Sequence, residues 1–188
     1  MAMIENQALR AALPDRLETA RLILRAPDLS DVPALTRLAN NRKIHAMLSR
    51  LPHPYGEDDA TTFICDVARS QSEQAYAIIS REHGFVGVVS LILAQNEMPE
   101  IGYWIGEPYW GQGFASEAAG ALLDAALAIG PVAIKARAIA ENIGSRRLLE
   151  KLGFSLVSQA LGSCGPHKGV EIALYKLAPA EGPNDQSA

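Results

Sequence analysis

The chain has 188 residues, a formal net charge of −4 and a hydrophobic content of 48%, which suits one domain with a sizeable core. The negative charge argues against broad nucleic-acid binding, which needs an excess of lysine and arginine. No apolar run approaches the roughly 20 residues that span a bilayer, and Glu5 and Asn6 follow Met1 without the form of a secretory signal. We expect a cytoplasmic protein that binds neither nucleic acid nor membrane.

The cysteines and histidines predict no metal site. Cys65 and Cys164 lie far apart in the sequence, which favours free thiols in a reducing compartment over a disulfide framework. The four histidines are scattered without the spacing of metal ligands.

The N-terminal half predicts a loose arm, alternating helices and strands, and then an antiparallel meander. Residues 1–16 are expected to be a flexible arm before a domain at 17–177. The predicted elements are a strand at 21–25, a helix from Asp28 or Ser30 to Asn40, a loop at 47–56, a helix at 57–70, and strands at 76–80, 84–93 and around Gly102.

The C-terminal half continues the same mixed pattern, so the predicted fold class is a single-domain α/β (α+β mixed) structure. Its predicted elements are a helix at 116–129, a strand at 132–138, a helix that begins at Asn142, and a hairpin at 154–161 and 170–177. Residues 178–188 lack a core-forming pattern and are expected to be a disordered tail.

A glycine turn joins the Gly102 strand to the helix at 116–129. Gly111 and Gly113 allow backbone conformations barred to other residues and a close approach of a ligand to the main chain. The amides from about Gly113 to Glu117 lie at the positive end of the helix dipole, where an anion is favoured. The turn matches neither the dinucleotide fingerprint nor a P-loop, so it is either another kind of phosphate site or only a tight connection.

A second segment, at 142–154, has the pattern of a capped helix. Asn142 is the predicted N-cap, Ser145 lies three residues later, and Gly153 supplies the C-terminal stop. Arg146 and Arg147 add positive charge beside the cap. The segment suits a phosphorylated ligand, and it equally suits an ordinary solvated helix.

Together the two segments resemble the GCN5-related N-acetyltransferase (GNAT) superfamily, and within it the branch of Rim-type ribosomal-protein N-terminal acetyltransferases. The resemblance rests on the run Trp110-Gly111-Gln112-Gly113-Phe114-Ala115, on Asn142 and Ser145 followed by Gly153-Phe154, and on the opening strand at 17–25. Trp110 departs from the usual first residue of the superfamily loop. The resemblance implies a mostly antiparallel central sheet with a splayed parallel strand pair, flanked by helices.

The same resemblance implies that acetyl-CoA enters the notch between the splayed strands, with its diphosphate on the Gly113 loop and no metal. Unpaired main-chain groups of a separated strand can bind the amides of the pantetheine arm as an added strand would. The implied cofactor-binding residues are Ile101, Tyr103, Trp104, Ile105, Gln112, Gly113, Phe114, Ala115, Ser116, Asn142, Ser145 and Arg147.

Two catalytic residues follow from the resemblance. Glu100 corresponds to a position that often carries the carboxylate base, although it is equally consistent with an exposed strand-end carboxylate. The tyrosine acid of many members is replaced by Leu149, so Ser145 is the candidate donor to the leaving sulfur, unless its hydroxyl bonds its own backbone. Glu117, in the first helical turn, is assigned a structural role.

The predicted function is an acetyl-CoA-dependent N-acetyltransferase that transfers acetyl directly to a primary amine, in particular a protein or peptide N-terminus. Two alternatives stay open: acetylation of a small-molecule amine, and an acyl-CoA-binding module that is catalytically silent because Leu149 replaces the acid. A homodimer is common in families that look like this one and is a further possibility.

Overall fold

Strands of the N-terminal meander and of the C-terminal hairpin join one sheet in the computed structural model, which describes residues 3–162 and 167–179. The sheet has eight strands: β1 (Arg16–Glu18), β2 (Leu22–Arg25), β3 (Glu73–Ser80), β4 (Gly84–Ile92), β5 (Glu100–Ile105), β6 (Ile134–Ile139), β7 (Ser155–Leu161) and β8 (Glu171–Leu177). Their order across the sheet is β1-β2-β3-β4-β5-β6-β8-β7. All neighbours are antiparallel except β5 and β6, which confirms the predicted fold class.

Helices cover both faces of this sheet and bury two hydrophobic cores. The described α-helices are α1 (Asn6–Ala12), α2 (Val32–Ala39), α3 (Arg42–Met47), α4 (Glu57–Thr62), α5 (Phe114–Ile129) and α6 (Ile143–Lys151). α1, α5 and α6 pack on one face, and α2 and α4 pack on the other. We call these faces the α5/α6 face and the α2/α4 face. None of the described helices combines the length and apolar character needed to cross a bilayer.

The N-terminal segment is ordered from α1 onward, so the prediction of a flexible arm at 1–16 is wrong for this part. Leu9 is fully buried in the core of the α5/α6 face. Asn6 Nδ2 donates to the carbonyl of Ala94 at 2.7 Å, and Arg10 Nε donates to that of Ser70 at 2.9 Å. A short polar segment without an obvious pattern is ordered here because distant loops supply its hydrogen-bond acceptors and the core covers its leucine.

Two further elements differ from the predictions. β3 begins at Glu73, three residues before the predicted start at 76, because Arg50 pairs with the buried Glu73 carboxylate at 2.8 Å and permits a charge inside the strand. Residues 42–46, which no pattern assigned, form α3 together with Met47 of the predicted loop, and the Asn41 side chain caps this helix.

Part of the sequence lies outside the described residues. The predicted tail falls there from residue 180 onward, and so does Cys164. Cys65 is a free, exposed thiol. The described residues contain no group of three or more His, Cys, Asp or Glu side chains that could hold a metal ion.

Candidate active site

The two parallel strands separate almost at once and leave a notch. β5 and β6 pair at a single position, Glu100 opposite Lys135. Beyond it, β5 stays paired with β4 through Ile105, and β6 stays paired with β8 along its whole length. The notch is therefore bounded by one unpaired edge of each strand.

The main-chain directions along β5 determine which residues face this notch. Gly106 N–H donates to Val86 O at 2.8 Å, whereas Pro99 O accepts from Lys135 N–H at 2.8 Å. Main-chain groups alternate in direction along a strand, so even-numbered residues bond β4 and odd-numbered residues face β6. The residues facing the notch are Ile101, Tyr103 and Ile105.

Only part of that edge remains open to a ligand. The indole Nε1 of Trp110 donates to Ile105 O at 2.6 Å, so this carbonyl is already bonded, and Ile101 adjoins the last paired position. Tyr103 is left with a main-chain N–H and C=O that β6 does not pair. Trp104, expected in the cofactor site, instead pairs with Val88 of β4 and packs its ring on the α2/α4 face.

The N-terminus of α5 adjoins the notch and is not capped by a side chain. Gly113 is the N-cap residue, with φ +81°, and it has no side chain to bond the amides of the first turn. Those amides have no acceptor within the helix. A glycine suits this site because other residues rarely adopt a positive φ. At Phe114 only the main-chain amide is available to a ligand, since its ring is buried in the core.

The N-terminus of α6 forms the third part of the site. Asn142 is the N-cap as predicted, and its Oδ1 accepts from the Ser145 N–H at 3.0 Å, which leaves its Nδ2 for a ligand. The two neighbouring arginines have different surroundings. Arg146 bonds Tyr175 Oη and Ala140 O, whereas Arg147 is exposed and suits an anionic group of the ligand.

The Ser145 hydroxyl lies against a buried tyrosine. Tyr103 Oη is 2.9 Å from Ser145 Oγ and 3.4 Å from the Ser145 carbonyl. Burial raises the pKa of Tyr103 to about 12, against the smaller opposing effect of the hydrogen bond with Ser145. The phenol therefore stays protonated at neutral pH and can donate a hydrogen bond.

Glu100 is buried, not solvated, and lies on the opposite face of the sheet from Ser145. It is 9% exposed, its Oε1 accepts from Arg137 Nε at 2.8 Å, and its Oε2 is 3.8 Å from Lys135 Nζ. By strand alternation its side chain shares the α2/α4 face with Trp104. The notch thus has a carboxylate on one face and a hydroxyl on the other.

Leu149, which replaces the usual acid, is 1% exposed and packs in the core. Gln112 is exposed, and its side chain donates to Pro108 O at 3.3 Å.

Sequence reasoning missed the contacts of Arg21 and Thr19 with Glu117, and it missed the hydrogen bond from Trp110 to Ile105 O. A period-two reading of β5 could have shown that the Trp104 side chain lies on the opposite face of the sheet from Tyr103, but no local signal marks Arg21.

The site fits an elongated ligand that carries amides along its length and phosphate at one end. The β5 edge packs beside the helix α5 with its uncapped N-terminus, and the Tyr103–Ser145 contact joins β5 to α6, which carries the exposed arginine. The described residues offer no cluster of metal ligands beside them.

The family profile described as the acetyltransferase (GNAT) domain matches residues 21–155. The chain belongs to the GNAT acetyltransferase family. A curated GNAT relative, the uncharacterized N-acetyltransferase p20 of Bacillus licheniformis, is 30% identical over 147 residues, which cover 74% of this chain and 82% of p20.

Solved structures share the fold of this acetyltransferase. RimL, a ribosomal L7/L12 alpha-N-protein acetyltransferase solved in complex with coenzyme A, matches with a TM-score of 0.75 and 20% identity over 88% of this chain and 97% of RimL. RimJ of Mycobacterium smegmatis, solved with a CoA-disulfide, matches with a TM-score of 0.78 and 19% identity over 92% of this chain and 91% of RimJ. At these identities the likeness shows the GNAT fold.

Proposed function

We propose that this GNAT acetyltransferase uses acetyl-CoA to acetylate the α-amine of a protein or peptide N-terminus. The observation that carries the proposal is the open β5 edge at Tyr103 beside the uncapped α5 N-terminus at Gly113. These two features match the two ends of the donor, an amide-containing arm and a diphosphate. RimL and RimJ, which share the fold, are solved with forms of coenzyme A.

In this proposal the donor occupies the α5/α6 side of the notch. Tyr103 N–H and C=O bond the pantetheine amides, the amides of Phe114, Ala115 and Ser116 hold the diphosphate, and Arg147 and the Asn142 Nδ2 bind other parts of coenzyme A. Gln112 borders the diphosphate. Ile101 and Ile105 line the notch by their position, while Trp104 makes no direct contact because its ring lies on the other face.

Acetyl-CoA supplies the acetyl group as a thioester. Glu100 accepts a proton from the amine, directly or through water, and holds the nucleophile on the α2/α4 face. Ser145 donates a hydrogen bond to the sulfur on the α5/α6 face as the C–N bond forms and the C–S bond breaks. The sulfur leaves as a thiolate and takes its proton from solvent after release. Tyr103 donates to Ser145 and so orients its hydroxyl.

The basicity of an α-amine and the name of one structural neighbour support the choice of this acceptor. An α-amino group has an ordinary pKa of about 7.7–8.0, against about 10.4 for a lysine-like amine, so a larger fraction is neutral at physiological pH. An α-amine therefore depends less on deprotonation by an enzyme base than most small aliphatic amines do. RimL, which has the same fold, is named as an alpha-N-protein acetyltransferase.

The test is release of the CoA thiol from acetyl-CoA with two matched panels of acceptors: short peptides with varied free N-termini, and small amines such as polyamines and aminoglycosides. Peptides with a blocked N-terminus are the control. Turnover that depends on a free peptide α-amine supports the proposal. Turnover with small amines alone would show that the acceptor is a small molecule and not a peptide N-terminus. Tight acetyl-CoA binding without thiol release in both panels would show that the protein binds the donor but does not transfer acetyl.

A further inference from the structure

Arg21 contacts Gln112, Phe114 and Glu117, which surround the turn on which the diphosphate is proposed to bind. We infer that it is a positioning residue for the donor: it neutralises Glu117 at the anion site and holds the Gly113 loop in its binding conformation. The inference rests on the proposed use of acetyl-CoA and extends it to a residue 91 positions before the loop.

Glu117 makes such a residue necessary. It lies in the first turn of α5, where the helix dipole attracts anions. An uncompensated carboxylate there would repel a diphosphate bound to the neighbouring amides, because like charges at such short range interact unfavourably. The charge of Glu117 must be compensated for this turn to bind a second anion.

Arg21 and Thr19 supply that compensation. Arg21 Nη2 and Nε lie 2.6 and 2.7 Å from Glu117 Oε2. Glu117 Oε1 accepts from the Thr19 hydroxyl at 2.5 Å and from the Arg21 N–H at 3.1 Å. Burial alone would raise the pKa of Glu117, but the hydrogen bonds from Thr19 and Arg21 outweigh it and the net shift is downward. The carboxylate is thus ionised, and both of its oxygens are bonded within the protein.

The same guanidinium also contacts the loop itself. Arg21 Nη1 donates to Gln112 O at 3.0 Å, and Arg21 Cζ lies 4.9 Å from the centroid of the Phe114 ring. A Cβ added at Gly113 would come within 3.4 Å of Arg21 Nη2. One side chain therefore contacts Gln112 and Phe114, the residues on either side of Gly113, and the Gln112 carbonyl, which would repel an anion, is already bonded.

The position of Arg21 indicates a role in donor binding and not in the general stability of the fold. The Arg21 side chain is 50% exposed, so it adds little to the hydrophobic core. Its contacts converge on Glu117 and on the loop at 112–114. Loss of Arg21 should therefore weaken binding of the diphosphate end of the donor more than it lowers protein stability or the rate of acetyl transfer.

The experiment compares two donors, acetyl-CoA and acetyl-pantetheine, which has the same thioester and amides but no diphosphate. For Arg21→Ala we expect the KM for acetyl-CoA to rise about tenfold at unchanged kcat, as loss of uniform binding of roughly 1.4 kcal/mol would produce. Kinetics with acetyl-pantetheine should stay within about twofold of the wild type. Arg16→Ala is the matched control, because it removes the same charge from an exposed ion pair with Glu18. Its kcat and KM should equal those of the wild type with either donor.

A second variant tests the neutralisation directly. Arg21→Ala combined with Glu117→Gln should recover part of the acetyl-CoA affinity that Arg21→Ala alone loses, because the repelling carboxylate is gone. The loss in Arg21→Ala should also shrink as ionic strength rises, since salt screens exposed charges.

Three results would overturn the inference: an equal loss with both donors, which indicates a structural role; no loss with either donor; and no recovery in the double variant. Calorimetric titration with coenzyme A measures the same affinities without turnover. A wild-type protein that binds coenzyme A but transfers no acetyl would thus contradict the proposed function and still decide the role of Arg21.

Discussion

Tyr103 and Ser145 join the open edge of β5 to the first turn of α6 through hydroxyl oxygens that lie 2.9 Å apart. A phenol with a pKa of about 12 stays protonated at neutral pH, so it is a poor source of protons for a thiolate but can still donate a hydrogen bond. When Tyr103 donates to Ser145, the serine proton is free to point at another acceptor. The pair can therefore stabilise a leaving sulfur without either residue losing its proton.

Tyr103→Phe is expected to lower kcat about tenfold with the KM for acetyl-CoA nearly unchanged, because one hydrogen bond made in the transition state is weakened. Ser145→Ala should act similarly, and the double variant should lose little more, since the two hydroxyls act as one unit. Steady-state CoA release measures all three. Tyr76→Phe, which removes a buried phenol bonded to Pro14 O at 2.7 Å, is the control and should retain full kcat. If the fold-decrease in kcat of the double variant equals the product of the two single decreases, the hydroxyls act separately.

Glu100→Gln is expected to lower kcat by about 10²-fold at neutral pH, which is a typical contribution of a general base. The deficit should narrow as pH rises through the α-amine pKa of about 8, because the amine then arrives neutral. Glu97→Gln is the matched control: Glu97 pairs with the same Lys135 at 2.8 Å but is 60% exposed. If turnover of Glu100→Gln equals that of the wild type across the pH range, the carboxylate is no base.

Gly113→Ala is expected to raise the KM for acetyl-CoA. A Cβ at this position is strained by a φ of +81° and lies 3.4 Å from Arg21 Nη2, so the loop that carries the guanidinium contact is disturbed. Gly84→Ala separates backbone strain from donor binding, because Gly84 has a φ of +71° and open space around it. Both variants should lose about 1–2 kcal/mol of unfolding free energy, and only Gly113→Ala should weaken binding in coenzyme A titrations. Equal KM values in the two variants would remove the loop from the donor site.

Leu9→Ala should lower the free energy of unfolding by about 2–5 kcal/mol, the usual range for a fully buried leucine. Leu29→Ala should change it by less than about 0.5 kcal/mol, because Leu29 is 60% exposed. Urea titrations of both proteins provide the measurement. A negligible effect of Leu9→Ala would mean that α1 adds nothing to the core and would restore the prediction of a loose arm.

Acidification should remove a stabilising contribution of Glu117. Its folded-state pKa lies below the ordinary value of 4.5, so the contribution is fully present above that value and is lost as pH falls through the folded-state pKa. The difference in unfolding free energy between the wild type and Glu117→Gln should therefore be largest near neutral pH and should close below the ordinary carboxyl range. A difference that stays constant between neutral and strongly acidic pH would contradict the ionised pair.

Local features of the fold were readable from the sequence because their physical cause is local. Gly113 marks a positive φ before a helix, and Asn142 with Gly153 marks the two ends of α6. These signals depend on the conformational range of glycine and on side-chain capping within a few residues. The strands of the meander and the order of the elements follow equally from short hydrophobic patterns.

Tertiary structure alone decided which of these residues work together. Glu117 and Arg21 are 96 positions apart, and Tyr103 and Ser145 are 42 apart, so no local pattern links either pair. The burial of Glu100 against Arg137 and the docking of α1 likewise depend on segments that only the folded sheet brings together. The amino-acid sequence by itself determined most of the elements and the turns that begin α5 and α6, because local backbone preferences act over a few residues. The register and packing of the sheet decided the chemistry between them, because hydrogen bonds and ion pairs act only at contact distance.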